Sequence, residues 1–214
     1  MSPWSWISSN SGQIWQLTGQ TAYLGIVPAL IGLVISLPLG VAAARWRWFH
    51  PPALAILNVI YAIPSLALFV ALIPIQGFGL TDTTVIVALT LYSLCVITPN
   101  VVEGLRAVPR SVRQVATAMG YTAPRRLFSV ELPLAVPVII AGLRVAVVSG
   151  ISLTSLGQLI GVSQLGSLFN DGMQRDFPTE IYVGLVLIIV LAFVCDLLLV
   201  AIRRALTPWA VRSS

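Results

Sequence analysis

The chain has 214 residues, of which 57% are hydrophobic and only 9% are charged, and its formal net charge is +5. Soluble domains contain about 25% charged residues, so this composition excludes an ordinary soluble protein, which needs a polar surface. The basic residues lie mostly at the ends of apolar stretches, as is typical of a membrane protein, so nucleic acid is not an expected partner.

Five apolar stretches are long enough to cross a bilayer, which takes about 20 helical residues. Pro28 and Pro38 are expected to bend the first stretch, and Pro64 and Ser65 interrupt the second near its middle. In chain order the stretches cover residues 21–44, 52–75, 83–102, 132–156 and 181–202. The sequence therefore predicts an all-α integral membrane protein with about five transmembrane helices.

Residues near the ends of these stretches are expected at the membrane surface. Residues 11–20 mix apolar and polar side chains and predict a short interfacial helix before the first span. Tryptophan is typical of the bilayer interface, so we interpret all six as interfacial anchors: Trp4, Trp6, Trp15, Trp46, Trp48 and Trp209.

The positions of the arginines predict the orientation of the chain. Ten of the twelve follow the first, third or fifth span, and only Arg175 lies on the opposite side. Because positive loops stay in the cytoplasm, the N-terminus is predicted outside and the C-terminus inside the cell. The ten are Arg45, Arg47, Arg106, Arg110, Arg113, Arg125, Arg126, Arg203, Arg204 and Arg212.

Arg144 is the arginine that falls within a predicted span, about 18 Å along the fourth helix. Such a charge costs about 2.5–3.5 kcal/mol unless it faces protein or water. Asp196 is a candidate partner, although it is expected about two turns nearer the cytoplasmic end; carbonyl groups freed by Pro133 or Pro137 are the alternative. The candidates for the bundle interior or the transport pathway are Pro64, Ser65, Arg144 and Asp196.

A segment rich in glycine and serine, residues 149–169, joins the fourth and fifth spans. It predicts either an interrupted helix or re-entrant turn that lines a cavity, or a face of small residues for helix packing. Four charged residues follow on the predicted outer side: Asp171, Arg175, Asp176 and Glu180. They are expected either to contact a solute-binding protein or to form a solvated loop.

The chain contains no lysine, so it cannot form a phosphate-binding loop of the Walker type, which needs one. It has a single histidine and no pattern of nucleophile and base. We therefore predict that the chain is not an enzyme and holds no metal or cofactor of its own.

Residues 114–133 resemble the cytoplasmic coupling loop of bacterial ABC-importer permeases, which reads E-A-A, three residues, Gly, nine residues, then I-x-L-P. Gln114 replaces the usual Glu, and Val130 stands at the Ile position. The residues in register are Ala116, Gly120, Leu132 and Pro133. Further similarity, in residues 63–79, 91–105 and 132–144, is to the glycine betaine/carnitine/choline subgroup of these permeases.

This resemblance implies a type I ABC-importer permease of the bacterial inner membrane, with a short cytoplasmic coupling helix that docks on a separate ATPase subunit. Ala116 and Ala118 are expected to give this helix a small contact surface, and Gly120 to end it. Arg125 and Arg126 are expected either to pair with the ATPase or anionic lipid, or only to fix topology.

The partners implied are two ATPases that bind ATP and Mg²⁺, a second permease, an extracytoplasmic solute-binding protein and the lipid bilayer. The resemblance divides the chain into an extracytoplasmic segment (1–16), a transmembrane domain (17–204) and a cytoplasmic tail (205–214). The expected cargo is an osmoprotectant: glycine betaine, choline, carnitine or proline betaine. A methionine or other amino-acid importer is the near alternative, and an ion channel or ion-coupled carrier is the distant one.

Overall fold

A computed structural model describes residues 3–208, which are largely helical and contain no strand. Two irregular helices flank the α-helix Leu132–Thr154: a π-helical segment, Leu127–Glu131, and a 3-10 helix, Ser155–Ile160. The α-helices are α1 (Pro3–Ser9), α2 (Ser11–Arg45), α3 (His50–Ala62), α4 (Ser65–Leu72), α5 (Asp82–Ala107), α6 (Arg110–Ala118), α7 (Ala123–Arg126), α8 (Leu132–Thr154), α9 (Ser167–Gln174) and α10 (Pro178–Leu206). Trp209 and Arg212, for which we predicted interfacial and cytoplasmic positions, lie outside the described residues.

The prediction of an all-α membrane protein with about five spans is confirmed. In the described part of the chain, α2, α5, α8 and α10 are long and apolar enough to cross a membrane. The predicted second span is divided into α3 and α4, which are bent by 93° at Ile63 and Pro64. Because a residue before proline favours extended backbone, Ile63 leaves the helical region, with a ψ of 128°, and the helix breaks.

The interfacial helix predicted for residues 11–20 is wrong, because these residues are continuous with the first span. The resulting helix α2 has 35 residues and includes Pro28 and Pro38. At about 1.5 Å per residue it is roughly 52 Å long, well beyond a hydrocarbon core of about 30 Å. The domain boundary predicted after residue 16 therefore falls inside α2.

The centre of the bundle is formed by α2, α5 and α8, which pack directly on one another. Their backbones approach closely at glycines, as is common between membrane helices. A Cβ atom added at Gly25 of α2 would lie 2.6 Å from Cγ1 of Ile151 in α8, and one at Gly142 of α8 would lie 2.7 Å from Cβ of Asn100 in α5. Small residues at these crossings thus fix how the three helices fit together.

Interfacial anchoring is the wrong interpretation for Trp6. Its side chain is only 8% exposed, and its ring packs against Phe177 with 6.1 Å between centroids. This contact joins α1 to the segment that precedes α10. In contrast, Trp4, Trp15, Trp46 and Trp48 are exposed and stay candidates for the bilayer interface.

Candidate functional site

The segment that resembles a coupling loop, residues 114–133, begins within the short helix α6 and continues into a turn. Helix α6 begins after Pro109 and ends at Ala118. Gly120 has a φ of +83°, a left-handed conformation that glycine adopts at little steric cost. Pro124 lies in the first turn of α7, where its missing N–H group is not needed. The helix and the glycine turn predicted from the sequence are both present.

One face of α6 is turned outward and the other packs into the chain. Val115 and Met119 are 60% and 71% exposed, and Gln114 and Ala118 are exposed beside them. Ala116 is only 6% exposed and packs inward. We expected both alanines on the contact surface of this helix, whereas only Ala118 is exposed. With the exposed apolar residues Val115 and Met119 it forms a surface that we call the α6 outer face: Gln114, Val115, Ala118 and Met119.

Arg126 connects α6 to the start of α8 through two hydrogen bonds. Its Nε donates to Glu131 Oε1 at 2.8 Å, and its NH1 donates to Thr117 Oγ1 at 2.7 Å. Glu131 is only 6% exposed and ends the π-helical segment, an irregularity frequent at functional sites. Neither role predicted for Arg126 describes this geometry, since the side chain is engaged within the chain. We call these three residues the Arg126 network.

Other arginines predicted as topology determinants also hold this end of the bundle together. Arg113 NH2 donates to the carbonyl oxygens of Leu105 (3.2 Å) and Val108 (2.8 Å), where α5 ends. Arg45 NH2 donates to the carbonyl of Ala123 at 3.3 Å. These bonds satisfy carbonyl groups at chain reversals, so charged donors join α6 to the end of α5 and α2 to the start of α7.

Arg144 and Asp196 form a bidentate ion pair between α8 and α10. Arg144 Nε donates to Asp196 Oδ1 and NH2 donates to Oδ2, both at 2.7 Å. The offset of two turns expected between them is therefore wrong, and the carboxylate is the partner that we predicted as a candidate. The side chains are 29% and 26% exposed, because the pair lies in an open groove of about 760 Å³. Ser149, Ser152 and Phe193 also line this α8–α10 groove.

The glycine-rich segment contains the predicted interruption. Helix α8 ends at Thr154, and Gly161 has a φ of +82°. Gln164 is fully buried, and its Nε2 donates to the Ser155 carbonyl at 3.1 Å. The alternative prediction, a small residue in a contact between helices, also holds for Gly150 of α8. A Cβ atom there would lie 3.0 Å from the carbonyl oxygen of Gly25 in α2. Different glycines thus serve the turn and the helix contact.

Glu180 is not a solvated loop residue. It is 2% exposed in the first turn of α10, and its Oε1 accepts a hydrogen bond from Arg175 NH1 at 3.3 Å. Arg175 itself has a side chain that is 67% exposed. A carboxylate near a helix N-terminus is electrostatically favourable, so Glu180 stabilises the start of α10.

The break between α3 and α4 is tied to α5. The Tyr92 hydroxyl donates to the carbonyl oxygen of Ile63, and the Tyr92 ring meets that of Tyr61 edge to face, with 6.0 Å between centroids. Pro64 is exposed beside this bond, and Ser65 begins α4. The break is therefore a fixed corner of the fold.

Replacing Tyr92 by phenylalanine is expected to lower thermal stability without unfolding the protein. A lost hydrogen bond costs about 1 kcal/mol, plus the cost of a poorly solvated carbonyl at Ile63. The melting temperature in detergent measures this change, and Tyr182→Phe on the exposed face of α10 is the control. Equal melting temperatures for the two variants would mean that the corner does not depend on this bond.

A bundle of membrane-length helices around a small-residue centre, with a helical loop at one end, is the architecture of a multi-pass membrane protein. Residues 36–212 match the family of binding-protein-dependent transport system inner membrane components, and the chain belongs to this family.

Relatives and solved structures cover nearly the whole chain. It is 34% identical to the osmoprotectant import permease protein OsmW of Salmonella typhimurium, over 95% of this chain and 96% of that one. It is 30% identical to the glycine betaine/carnitine/choline transport system permease protein OpuCB of Bacillus subtilis, over 95% and 93%. An inward-facing structure of the MetNI methionine ABC transporter aligns with a TM-score of 0.82 and 25% identity, over 97% and 100%.

Proposed function

We propose that this permease imports an osmoprotectant with a quaternary ammonium group: glycine betaine, choline, carnitine or proline betaine. The observation that carries the proposal is the set of relatives named for osmoprotectant, choline or carnitine transport, which are 30–34% identical over about 95% of the chain. The similarity to MetNI supports the fold and leaves methionine or another amino acid as the second candidate cargo. Uptake of radiolabelled glycine betaine, competed by choline or by methionine, distinguishes the two.

The assembly that we propose contains two permeases, two ATPase subunits and an extracytoplasmic binding protein. The described residues of one chain provide at most five spans, too few to enclose a route. The chain has no lysine for a phosphate-binding loop, so ATP and Mg²⁺ bind to the partner ATPases. The distribution of arginines supports an N-terminus outside and a C-terminus in the cytoplasm, which places α6 on the ATPase side.

In this assembly the α6 outer face docks on the ATPase, and Leu132 and Pro133 begin the span that receives its motion. Closure of the ATPases on ATP moves α6, and the Arg126 network passes that movement to α8. The two permeases then rock between outward-open and inward-open states, a rigid-body transition of packed helices. The charges at Arg144 and Asp196, and the corner at Pro64 and Ser65, line or support the route.

Replacing Met119 by glutamate is expected to abolish co-purification of the ATPase. The change places a charge on the proposed contact surface, next to the apolar residues Val115 and Ala118, where desolvation of the charge opposes docking. The measurement is affinity purification of the full importer in mild detergent, with the ATPase quantified by mass spectrometry.

Met173→Glu is the matched control, because Met173 is 75% exposed, compared with 71% for Met119, and lies in α9 beyond the opposite end of α8. We expect this variant to retain the ATPase. The proposed docking face is wrong if Met119→Glu retains the ATPase as well, while wild-type protein purified without any ATPase contradicts the importer itself.

A further inference from the structure

The α8–α10 groove places two opposite charges on a face of the chain that is otherwise mostly apolar. The exposed residues of α10 around Asp196 include Phe193, Leu197 and Leu198. Arg144 follows Leu132 by twelve residues, so the ion pair lies about 18 Å along α8, near the middle of a bilayer. Partly exposed charges at this depth are stable where they face protein or water, and not where they face acyl chains.

The geometry of the ion pair also allows Arg144 and Asp196 each to exchange its partner for another group of opposite charge. Two parallel N–H···O bonds occupy one edge of the Arg144 guanidinium, and this fork fits any carboxylate. Phe193 is 61% exposed and lies on α10 one turn before Asp196, in the same groove. An aromatic face beside a carboxylate is the combination that attracts quaternary ammonium groups.

We propose that the α8–α10 groove binds a zwitterionic solute during transport, with its carboxylate on Arg144 and its quaternary ammonium on Asp196 and Phe193. This inference rests on the proposed function and specifies the part of the pathway that contacts the solute. The groove, at about 760 Å³, is large enough for a betaine and accompanying water.

Charge balance explains why a zwitterion fits better than a simple cation. Without solute, Arg144 and Asp196 neutralise each other. A zwitterion that inserts between them gives each residue a new partner of opposite charge, and the groove stays neutral overall. Choline would satisfy Asp196 and leave Arg144 without a carboxylate, an unfavourable state in a poorly solvated site. The groove is therefore expected to favour glycine betaine over choline.

The test uses the complete importer in proteoliposomes, with saturating binding protein, and measures the maximal rates of glycine betaine and choline transport. Phe193→Leu removes the aromatic face and leaves both charges in place. We expect at least a fivefold loss of the glycine betaine rate. Tyr182→Leu is the matched control, because Tyr182 is also exposed on α10, at 66%, and does not line the groove. Equal rates for the two variants would overturn the proposal.

Exchanging the charges separates a binding role from a structural one. The double variant Arg144→Asp with Asp196→Arg retains an ion pair between α8 and α10, but places the cation beside Phe193. If the pair only holds the two helices together, the exchange restores transport, and the proposal is overturned. We expect a stable complex, with a normal melting temperature, whose glycine betaine rate falls at least tenfold.

A labelling measurement tests access without relying on activity. Ser152→Cys is expected to react with a small water-soluble maleimide in membranes, and saturating glycine betaine during turnover should slow the reaction. Wild-type protein gives the background, since Cys95 and Cys195 are buried. Failure to label would mean that lipid or the second permease fills the groove, and would overturn the inference. If the wild-type importer takes up neither glycine betaine nor choline, the proposed function itself is contradicted.

Discussion

Replacing Gly25 by leucine is expected to prevent formation of the folded bundle, whereas Gly19→Leu in the same helix leaves it intact. A Cβ atom at Gly25 would lie 2.6 Å from Cγ1 and 3.0 Å from Cα of Ile151, so α8 itself would have to move. At Gly19 a Cβ atom meets nothing within 4 Å. Extra methylene groups in a packed core cost about 1–3 kcal/mol, and a leucine side chain adds several.

The measurement is the melting temperature and monodispersity of the purified protein in detergent. Gly19→Leu removes a helix-weakening glycine, worth up to about 1 kcal/mol, and should melt at or above the wild-type temperature. Gly25→Ala is expected to destabilise by about 1–3 kcal/mol. Adding Ile151→Ala should restore only part of this loss, because the contact with the Ile151 backbone remains. Similar melting temperatures for Gly25→Leu and Gly19→Leu would mean that α2 and α8 are not in this contact.

The number and order of the spans were predictable because each depends on local composition. Long apolar stretches without charge predict membrane helices whatever their neighbours are. The length of α2 was not predictable in the same way. Residues 11–20 contain enough polar side chains to suggest a separate surface helix, yet their backbone continues the span, and Leu17 and Thr21 are buried in the bundle. Tertiary contact decided where the helix begins.

The partnership of Arg144 and Asp196 was found from the sequence, but its geometry was not. We predicted that the fifth span ends near residue 202, which left Asp196 about six residues from that end. Helix α10 continues to Leu206, so Asp196 is ten residues from its end, and Arg144 is twelve residues from the start of α8. Those four additional residues remove most of the predicted offset, since each corresponds to about 1.5 Å.

The Arg126 network could not be predicted from spacing alone. In a regular helix, residues five apart do not share a face, so nothing in the sequence pairs Arg126 with Glu131. The π-helical segment Leu127–Glu131 changes this spacing and brings the two side chains within 2.8 Å. The bond to Thr117 depends on the turn at Gly120, which folds α6 back toward α7.

Replacing Arg126 by glutamine is expected to reduce solute transport about tenfold while the importer still assembles. The change leaves Glu131, whose side chain is 8% exposed, without its cation. Fully buried pairs lose about 3–5 kcal/mol when one partner is removed. Because the Arg126 side chain is 24% exposed and screened by solvent, we expect about 1–2 kcal/mol here. The measurement is solute moved per ATP hydrolysed in proteoliposomes.

Arg125→Gln is the matched control, because it removes the same charge one residue earlier. The Arg125 guanidinium lies over the Tyr121 ring, 4.8 Å from its centroid, and is exposed. We expect transport and stability close to those of the wild type. A loss of transport equal to that of Arg126→Gln would mean that positive charge in this loop matters, and not the network.

Two further variants separate coupling from simple stability. Thr117→Val keeps the Arg126–Glu131 ion pair but removes the bond to α6, so it should lower transport per ATP with little change in melting temperature. Arg126→Gln with Glu131→Gln leaves no uncompensated charge, so it should recover stability without recovering transport. If the double variant recovers both, the network serves only to bury Glu131. If transport stays low in a stable protein, then movement of α6 reaches α8 through Arg126.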